Sequence, residues 1–497
     1  MKVEKPATSR TFALVHLVLA LQLLVIMFFC ARPASDPDYG WHIANGRHVF
    51  DGGTFSGHDI YSWTSTSTWV AHEWLTEAVM YIVHAWSGAS GNSILFAILG
   101  VITYAILAVQ LRRRFGWTIS LIVLPISFLG SMRSIGVRPL MLELLYLSLL
   151  LALVDAYVAG PLSRRKLFAI AFAGAVLWAN THGSFLLMPG VFGITAVEMW
   201  LARDRRWSQL IIAAFISALS PLANPWGWGL FGFATQSITS PTTLARIQEW
   251  QAPLLNETLA IPFLLQLALA AIGICGLLLR MSRGKKAEGN YPATLGMLRA
   301  IVFAFLALKS GRHMVLFGLA AAPMMGAALS LVLRRSSQTS GDSSLSINDH
   351  RRSIVNLAAA ALMAIGITRA AWKEISPSAQ RAAIVTRYPV GLASHLSTTM
   401  SSSDRLLNEY GWGGFLIERN ILPVFIDGRS EVYGDAQLER YASIIHLEPG
   451  WRETIDRLGV NLVLMPRKAP LAVALERNGW SVVARDSVGT LLKKPVD

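Results

Sequence analysis

Charged residues are scarce in this chain of 497 residues: they make up 15% of it, against 53% hydrophobic residues. Soluble globular domains carry about a quarter charged residues, so the composition excludes an ordinary soluble protein. Cysteine is scarcer still. Cys30 and Cys275 both lie in apolar runs, which excludes a disulfide framework and a cysteine-based metal site. The chain also lacks a glycine-rich phosphate loop, so an ATP- or NAD-driven reaction has no support.

Long apolar runs are abundant instead, and they predict a multi-pass α-helical membrane protein. The first run, 11–31, has about 20 residues without a charge, which is enough to cross a bilayer. It is longer than the apolar region of a typical signal peptide, and the small-residue cleavage site that should follow is poor. About eleven candidate spans lie near 11–31, 92–111, 116–132, 138–158, 166–181, 184–202, 208–223, 258–280, 293–308, 313–333 and 353–371.

The net charge of +14 reflects membrane topology and not a surface for nucleic acid. Basic residues cluster in alternate loops, as the positive-inside rule describes, so we expect a cytoplasmic N-terminus. An odd number of spans then places the C-terminus outside. The basic clusters are Lys2/Lys5/Arg10, Arg112–Arg114, Arg164–Lys166, Arg203/Arg205/Arg206, Arg280/Arg283/Lys285/Lys286 and Arg334/Arg335/Arg351/Arg352.

The chain divides into a transmembrane domain, 1–371, and a soluble extracytoplasmic domain, 372–497. Within the first, 32–91 forms a large outside loop, in which apolar residues at helical spacing predict an interfacial helix over 73–86. In the second, β-branched runs alternate with helical patterns, which is typical of an α/β domain. The runs predict strands at 422–427, 460–465 and 480–484, with helices over 436–447 and 470–480.

An acidic stretch follows the first apolar run, where Asp36 and Asp38 are surrounded by Tyr39, Trp41 and His42. In an extended segment the two carboxylates point the same way. Such a pair suits a general base with an orienting partner, or a divalent cation site for Mg²⁺ or Mn²⁺. The alternative is a solvated loop. The aromatic neighbours favour a functional site because aromatic side chains bind sugar rings.

Further candidates lie at the predicted outside ends of the helices. His72 and Glu73 precede the interfacial helix, where Glu73 could equally be a carboxylate that favours a helix start. Basic residues on the predicted outside face are contrary to the positive-inside rule. A phosphate group is their natural partner. The alternative is snorkelling, or pairing with Glu143 or Asp38. These basic candidates are Arg133, Arg138, Lys309, Arg312 and His313.

Taken together, these motifs resemble those of the GT-C superfamily of membrane glycosyltransferases, and the likeness covers most of the chain. GT-C enzymes are multi-spanning proteins that use polyprenyl-phosphate-linked sugars. The motifs are D-x-D at 36–38, H-E-W-L at 72–75, V-R-P at 137–139, W-x-N-x-H-G at 178–183, N-P-W-G-W at 224–228, K-S-G-R-H at 309–313, W-G-G-F at 412–415 and F-I-D-G-R at 425–429.

The resemblance implies a glycosyltransferase of the bacterial inner membrane that modifies an extracytoplasmic glycan, lipid or protein. Asp38, or else Asp36, would deprotonate the acceptor hydroxyl, and the same pair would hold any divalent cation. Arg138, Arg312 and Lys309 would stabilise the leaving polyprenyl phosphate. Arg133, His313, His42, His72 and Glu73 are further candidates for contacts with the substrates. The rival hypotheses are a non-catalytic scaffold for envelope polysaccharide synthesis and a transporter of a lipid-linked substrate.

Overall fold

The computed structural model describes residues 14–53, 57–66, 68–132, 134–240, 245, 248–283, 295–337 and 349–495. This part of the chain is mostly helical, with one small sheet near the C-terminus. Its α-helices are α1 Leu14–Cys30, α2 Tyr39–Phe50, α3 Trp74–Phe115, α4 Trp117–Leu129, α5 Leu140–Val158, α6 Arg164–Thr181, α7 Leu187–Leu201, α8 Trp207–Ala218, α9 Gly229–Thr239, α10 Ile261–Ser282, α11 Met297–Lys309, α12 Met314–Ala320, α13 Ala322–Ser337, α14 Asp349–Ile375, α15 Pro377–Arg387, α16 Val390–Thr399, α17 Gly413–Glu418, α18 Ser430–Ile445, α19 Trp451–Leu458 and α20 Pro470–Arg477.

Membrane-spanning length is reached by several of these helices. Within the described residues, four are long and apolar enough to cross a bilayer: α3, α5, α10 and the 355–375 part of α14. A fifth span results if the pair that bends by 53° between 320 and 322 counts as one. Other apolar helices, such as α1 with 17 residues and α4 with 13, are shorter. The count of about eleven spans therefore stays a prediction.

The longest helix among the described residues, α3, joins two segments that the sequence-based prediction treats separately. It begins at Trp74 and runs for 42 residues through both the predicted interfacial helix and the predicted span at 92–111. Gly88 interrupts it with φ 64 and ψ −164, values that a residue with a side chain rarely adopts. The helical prediction for 73–86 is confirmed, and the glycine break lets the two halves point in different directions.

The C-terminal sheet has the strand order β1-β2-β4-β3, in which β1 and β2 are parallel and the other neighbours are antiparallel. The strands predicted at 460–465 and 480–484 are confirmed, as are the two predicted helices, which correspond to α18 and α20. The short strand β1 and the final strand β4 have no counterpart in the sequence-based prediction. The four strands are β1 Leu406–Asn408, β2 Leu462–Pro466, β3 Ser481–Arg485 and β4 Gly489–Lys493.

The strand predicted at 422–427 is wrong. This segment makes a single parallel bridge, between Val424 and Ser62, and joins no sheet. The buried side chain of Asn408 replaces a strand partner: its Oδ1 accepts from the Phe425 N–H at 2.8 Å, and its amide donates to the Ile426 carbonyl at 2.8 Å. A buried backbone needs hydrogen-bond partners, and here a side chain supplies them. The apolar pattern reports burial in this case, not strand pairing.

Two apolar cores organise the described residues. One fills the helical bundle. The other lies in residues 372–497, which we call the outer domain after its predicted location, and includes Trp41, Tyr61, Trp69 and Ala71 from the loop 32–91. The first loop is therefore part of the packing of the outer domain, and Gly414 and Gly428 of this domain lie against the acidic stretch.

Candidate active site

The acidic stretch forms a turn at the start of α2 and is not extended at Asp38. Asp38 directly precedes the first residue of the helix and has helical angles, φ −86 and ψ −16. Asp36 Oδ1 accepts from the Asp38 N–H at 3.0 Å, and the Trp41 indole donates to Asp38 Oδ1 at 3.0 Å. The turn thus holds both carboxylates in defined positions, although the expectation that they point the same way along a strand does not apply.

The surroundings of Asp38 shift its pKa upward, toward neutral pH. Burial raises the pKa of Asp38 to about 6, and the neighbouring charge of Asp36 acts in the same direction. His42, the Trp41 hydrogen bond and Arg138 oppose this shift without cancelling it. A carboxyl group that titrates near neutral pH can take up a proton during a reaction, which is the property of a general base.

Arg138 connects the acidic turn to the loop that contains Glu249. Its Nε lies 3.8 Å from Asp36 Oδ2, and its two terminal nitrogens donate to the Glu249 carboxylate at 2.7 and 3.1 Å. Arg312 lies near the same loop, with its guanidinium 5.3 Å from the centre of the Trp250 ring. Burial alone would raise the pKa of Glu249, but Arg138 and Arg312 hold it below its usual value. The sequence offers Glu143 or Asp38 as alternative partners of Arg138. In the structure its ion pairs are with Asp36 and Glu249.

The basic turn at 309–313 contacts backbone carbonyl groups of this loop. The Gly311 N–H donates to the Gln251 carbonyl at 2.9 Å, and the hydroxyl of Ser310 donates to the Glu249 carbonyl at 3.1 Å. Lys309 is the exposed last residue of α11. His313 meets the Trp250 ring edge-on, with 6.2 Å between ring centres. The last basic candidate, Arg133, lies outside the described residues.

A second cluster of titratable groups joins α2 to the start of α3. His42 Nδ1 lies 3.0 Å from Glu77 Oε1, and the amide of Asn45 donates to the other oxygen of Glu77. His42 Nε2 lies 4.0 Å from Glu73 Oε2. The side chains of His42, Glu73 and Glu77 are all buried. Burial would raise the pKa of Glu73, but His72, His182 and His42 outweigh it and hold this pKa well below its ordinary value.

Among the described residues, this cluster has an arrangement that could hold a metal ion. One ligand atom each from His42, Glu73 and Glu77 lie within 4.8 Å of one another. Asp36 and Asp38, to which the sequence assigns any cation, do not belong to this group. His72 Nε2 and His182 Nε2 each lie 3.5 Å from Glu73 Oε1.

The outer domain covers the acidic turn. A Cβ atom added at Gly428 would overlap with Asp38 Oδ1, and one added at Gly414 would overlap with the Pro37 carbonyl. The Tyr410 hydroxyl donates to the Gly428 carbonyl at 3.3 Å. Burial and the nearby charge of Asp38 raise the pKa of this phenol well above its usual value, so it stays protonated. The W-G-G-F and F-I-D-G-R motifs therefore contribute to the site by close backbone contact.

Glu77 and Asn45, which complete the cluster around His42, are not among the residues predicted from the sequence. The signal available for Glu77 is its spacing of four residues from Glu73, which places both carboxylates on one face of a helix. The site also requires α2, a helix that the sequence analysis does not predict. Without α2, nothing relates His42 to the start of α3.

No protein-family model and no curated protein sequence match the chain. Solved structures, in contrast, match the chain in fold. The archaeal oligosaccharyltransferase AglB from Archaeoglobus fulgidus, in complex with an inhibitory peptide and a dolichol-phosphate, aligns with a TM-score of 0.58 at 13% identity, over 90% of this chain and 69% of that one. The same oligosaccharyltransferase in complex with Zn and sulfate aligns with a TM-score of 0.54 at 14% identity, over 89% of this chain and 68% of that one.

ArnT from Cupriavidus metallidurans, bound to undecaprenyl phosphate, aligns with a TM-score of 0.52 at 16% identity, over 95% of this chain and 96% of that one. Both neighbours have the GT-C fold. The chain has this fold as well, and the resemblance drawn from its motifs is confirmed at the level of the fold.

Proposed function

We propose that this protein is a glycosyltransferase that moves a sugar from a polyprenyl-phosphate donor to an extracytoplasmic acceptor. The observation that carries the proposal is the meeting of Asp38 and Asp36 with Arg138 beneath the outer domain. The pair places a carboxyl group of raised pKa next to a guanidinium group. A displacement at a sugar phosphate needs both a base and a cation.

In the proposed reaction, the carboxylate of Asp38 accepts the proton of the acceptor hydroxyl. The acceptor oxygen then attacks the anomeric carbon, and the bond from that carbon to the phosphate oxygen breaks. Polyprenyl phosphate leaves with the electron pair. Asp36 acts as the orienting partner, since it holds the Asp38 backbone and contacts Arg138.

Arg138 and Arg312 are the proposed contacts of the departing phosphate, with Lys309 as a further candidate. In the structure both terminal nitrogens of Arg138 donate to Glu249. A bound phosphate therefore takes the place of the Glu249 carboxylate, because both groups accept the same pair of hydrogen bonds from a guanidinium group. Glu249 keeps the guanidinium paired and oriented until the donor arrives.

The donor class is supported by the two structural neighbours. The Archaeoglobus protein was solved with a dolichol-phosphate and the Cupriavidus protein with undecaprenyl phosphate, which are both polyprenyl phosphates. We extend this class of lipid to the present chain. His42, His72, Glu73, His313 and Arg133 keep their assignment as further candidates for contacts with the donor or acceptor.

We further propose that the protein lies in a bacterial inner membrane with its N-terminus in the cytoplasm. Domain 372–497 then lies outside, next to the site. About eleven spans, an acceptor that is an envelope glycan, lipid or protein, and a hexose or pentose as the sugar belong to the same proposal.

The Asp38→Asn variant tests the role of the base. We expect it to lose roughly 10²–10⁴-fold in sugar transfer, because an amide cannot accept the proton. Transfer is measured in membranes supplied with radiolabelled polyprenyl-phosphate hexoses and pentoses. Binding of radiolabelled undecaprenyl phosphate is measured in parallel and should persist. The matched control is Asp51→Asn, an exposed aspartate directly after the other end of α2.

Full transfer by Asp38→Asn would overturn the assignment of the base. A wild-type protein that binds undecaprenyl phosphate but transfers none of the supplied sugars would instead favour the non-catalytic scaffold. Loss of lipid binding in Arg138→Gln, with transfer and binding intact in the Asp51→Asn control, would support the phosphate contact.

A further inference from the structure

We propose that His42, Glu73 and Glu77 bind a divalent transition-metal ion, with Zn²⁺ as the best match, and that this ion fixes α2 to the start of α3. This site is distinct from the acidic pair to which the sequence assigns a cation. It does not depend on the sugar-transfer proposal, because metal binding can be measured in the absence of any donor.

The spacing between His42 and Glu73 fits one ion, and Glu77 lies close enough to join them. One atom from each of the three side chains lies within 4.8 Å of the other two. An ion that binds nitrogen and oxygen at about 2.0–2.2 Å separates two ligand atoms by roughly 3.3–4.3 Å, depending on the angle. The 4.0 Å between His42 Nε2 and Glu73 Oε2 lies in this range and is too long for a hydrogen bond.

The imidazole of His42 is held as metal-binding histidines are held. One of its ring nitrogens faces Glu77 Oε1 at 3.0 Å and the other faces Glu73 Oε2. An ion on Nε2 lies beside Glu73 and leaves the contact between Nδ1 and Glu77 Oε1 in place, which fixes the ring orientation. Glu77 then binds the ion through a remaining lone pair of its carboxylate. The amide of Asn45 in turn holds the second oxygen of Glu77.

Electrostatics also favour a positive charge at this position. Glu73 and Glu77 bring two carboxylates into a buried site, at 8% and 1% exposure. Buried charges are stable only when they are paired or bind a metal. Three imidazoles converge on Glu73, from His42, His72 and His182, yet all stop at 3.5–4.0 Å from its oxygens. Ordinary hydrogen bonds to the carboxylate would be shorter.

The backbone around the cluster leaves α2 and α3 unusually close. A Cβ atom added at Gly46 would overlap with the Glu77 carbonyl. Gly46 lies one helical turn after His42, so this glycine brings the His42 face of α2 against Glu77. An ion at this crossing joins two helices, and α2 starts directly after Asp38. The ion therefore acts as a positioning element for the acidic turn, and it takes part in no proposed chemical step.

The donor set selects the kind of ion. Imidazole favours Zn²⁺ and its neighbours among the transition metals, whereas Mg²⁺ and Ca²⁺ prefer oxygen ligands. A buried site with one histidine and two glutamates should therefore bind Zn²⁺ more tightly than Mn²⁺, following the general affinity order, and should not retain Mg²⁺.

The test uses the full chain, purified in detergent with a tag that contains no histidine. After treatment with a chelator, the protein is titrated with Zn²⁺, and bound zinc is measured by mass spectrometry together with the melting temperature. We expect about one zinc per chain and a higher melting temperature, because an ion that binds the folded state stabilises it. Mg²⁺ at the same concentration should leave the melting temperature unchanged.

His42→Ala and Glu77→Gln should each weaken zinc binding by roughly 100-fold or more. His58→Ala is the matched control, since His58 is an exposed histidine of the same loop. Glu77→Gln keeps the volume of the side chain, so a normal melting temperature of its metal-free form shows that this variant is folded. Asp38→Asn should bind zinc like the wild type, which separates this test from that of the sugar transfer.

The proposal is overturned if the folded wild type binds no zinc above the level of His42→Ala. Equal zinc affinity in Glu77→Gln and wild type would contradict it as well, as would retention of Mg²⁺ in place of Zn²⁺.

Discussion

Three glycines allow the outer domain to approach the acidic turn. Added Cβ atoms would overlap with the Gly414 carbonyl at Gly40, with the Pro37 carbonyl at Gly414 and with the Asp38 carboxylate at Gly428. Any side chain at these positions would separate the two segments. The glycines of the W-G-G-F and F-I-D-G-R motifs thus position Asp38 without any side-chain chemistry of their own.

The Gly428→Ala variant should lose roughly 100-fold in sugar transfer, because the added methyl group displaces the Asp38 carboxylate and a shift of about 1 Å costs this much. Transfer is measured as for the aspartate variants, and thermal unfolding in detergent checks the fold. Gly391→Ala serves as the control, since a Cβ there would meet its nearest neighbour, in Asp486, at an ordinary 3.6 Å. Unchanged transfer in a folded Gly428→Ala protein would show that this contact does not position Asp38.

At the level of single residues, the sequence indicates part of the site. Scarcity of charge singles out Asp36, Asp38 and Arg138, and the structure places Arg138 against Asp36. Their roles stay predictions. The partner that the sequence could not identify is Glu249, more than a hundred residues further along the chain. Which residue pairs with Arg138 depends on which loops meet in the fold, and no local sequence pattern encodes this.

Among the elements, the segment 422–429 links the outer domain to the first loop through a buried arginine. Arg429 pairs with Asp427 at 2.6 Å and with Asp59 at 2.7 Å, and all three side chains are inaccessible to solvent. Its guanidinium also lies 5.1 and 4.6 Å from the ring centres of Tyr61 and Trp69. Asp427 and Arg429 of the F-I-D-G-R motif therefore form an internal ion pair.

The Arg429→Gln variant should lower the free energy of unfolding by about 3–5 kcal/mol, because it leaves two carboxylates buried without their cation. Thermal and chemical unfolding of the purified protein measure this change. Arg452→Gln, at an exposed arginine of the same domain, should stay within about 0.5 kcal/mol of the wild type. Equal stability of the two variants would mean that Arg429 is not needed to compensate these charges.

Helices and strands are predicted correctly from the sequence where their apolar residues recur with a clear period. The helices α18 and α20 have clear apolar periods, and both are confirmed. The helix α2 has 12 residues that mix glycine, histidine and arginine with apolar residues, so no period indicates it. The segment 422–427 has the composition of a strand, but Asn408 supplies the hydrogen bonds that a neighbouring strand would otherwise provide.

For the whole molecule, the composition indicates a helical membrane protein, and the fold shared with the two structural neighbours agrees. Two contacts join loops that are distant in the sequence: Trp74 donates to Asn180 at 2.8 Å, and Arg138 contacts Glu249. The orientation in the membrane, which we derive from the alternation of basic loops, stays a prediction. The number of spans cannot be derived in the same way, because short and bent helices obscure the boundaries of the apolar runs.

Cysteine labelling tests the predicted orientation. In a background with Cys30→Ser and Cys275→Ser, the Thr398→Cys variant should react with a membrane-impermeant maleimide in spheroplasts. The Arg205→Cys variant should react only after permeabilisation, because its basic loop is predicted to face the cytoplasm. Both positions are exposed, so folding does not hide either of them. The opposite labelling pattern would invert the topology and place the acidic turn in the cytoplasm.

The packing of the first loop into the core of the outer domain has a consequence for biosynthesis. Ser62 contacts the Phe425 carbonyl across 363 residues of sequence. At 5–20 residues per second, a ribosome needs roughly 20–70 s to add that length of chain. During this interval the acidic turn has already been made but lacks its cover, so the nascent protein cannot yet have a complete site. A chain that ends before the outer domain would keep its helices and still be unable to assemble the centre around Asp38.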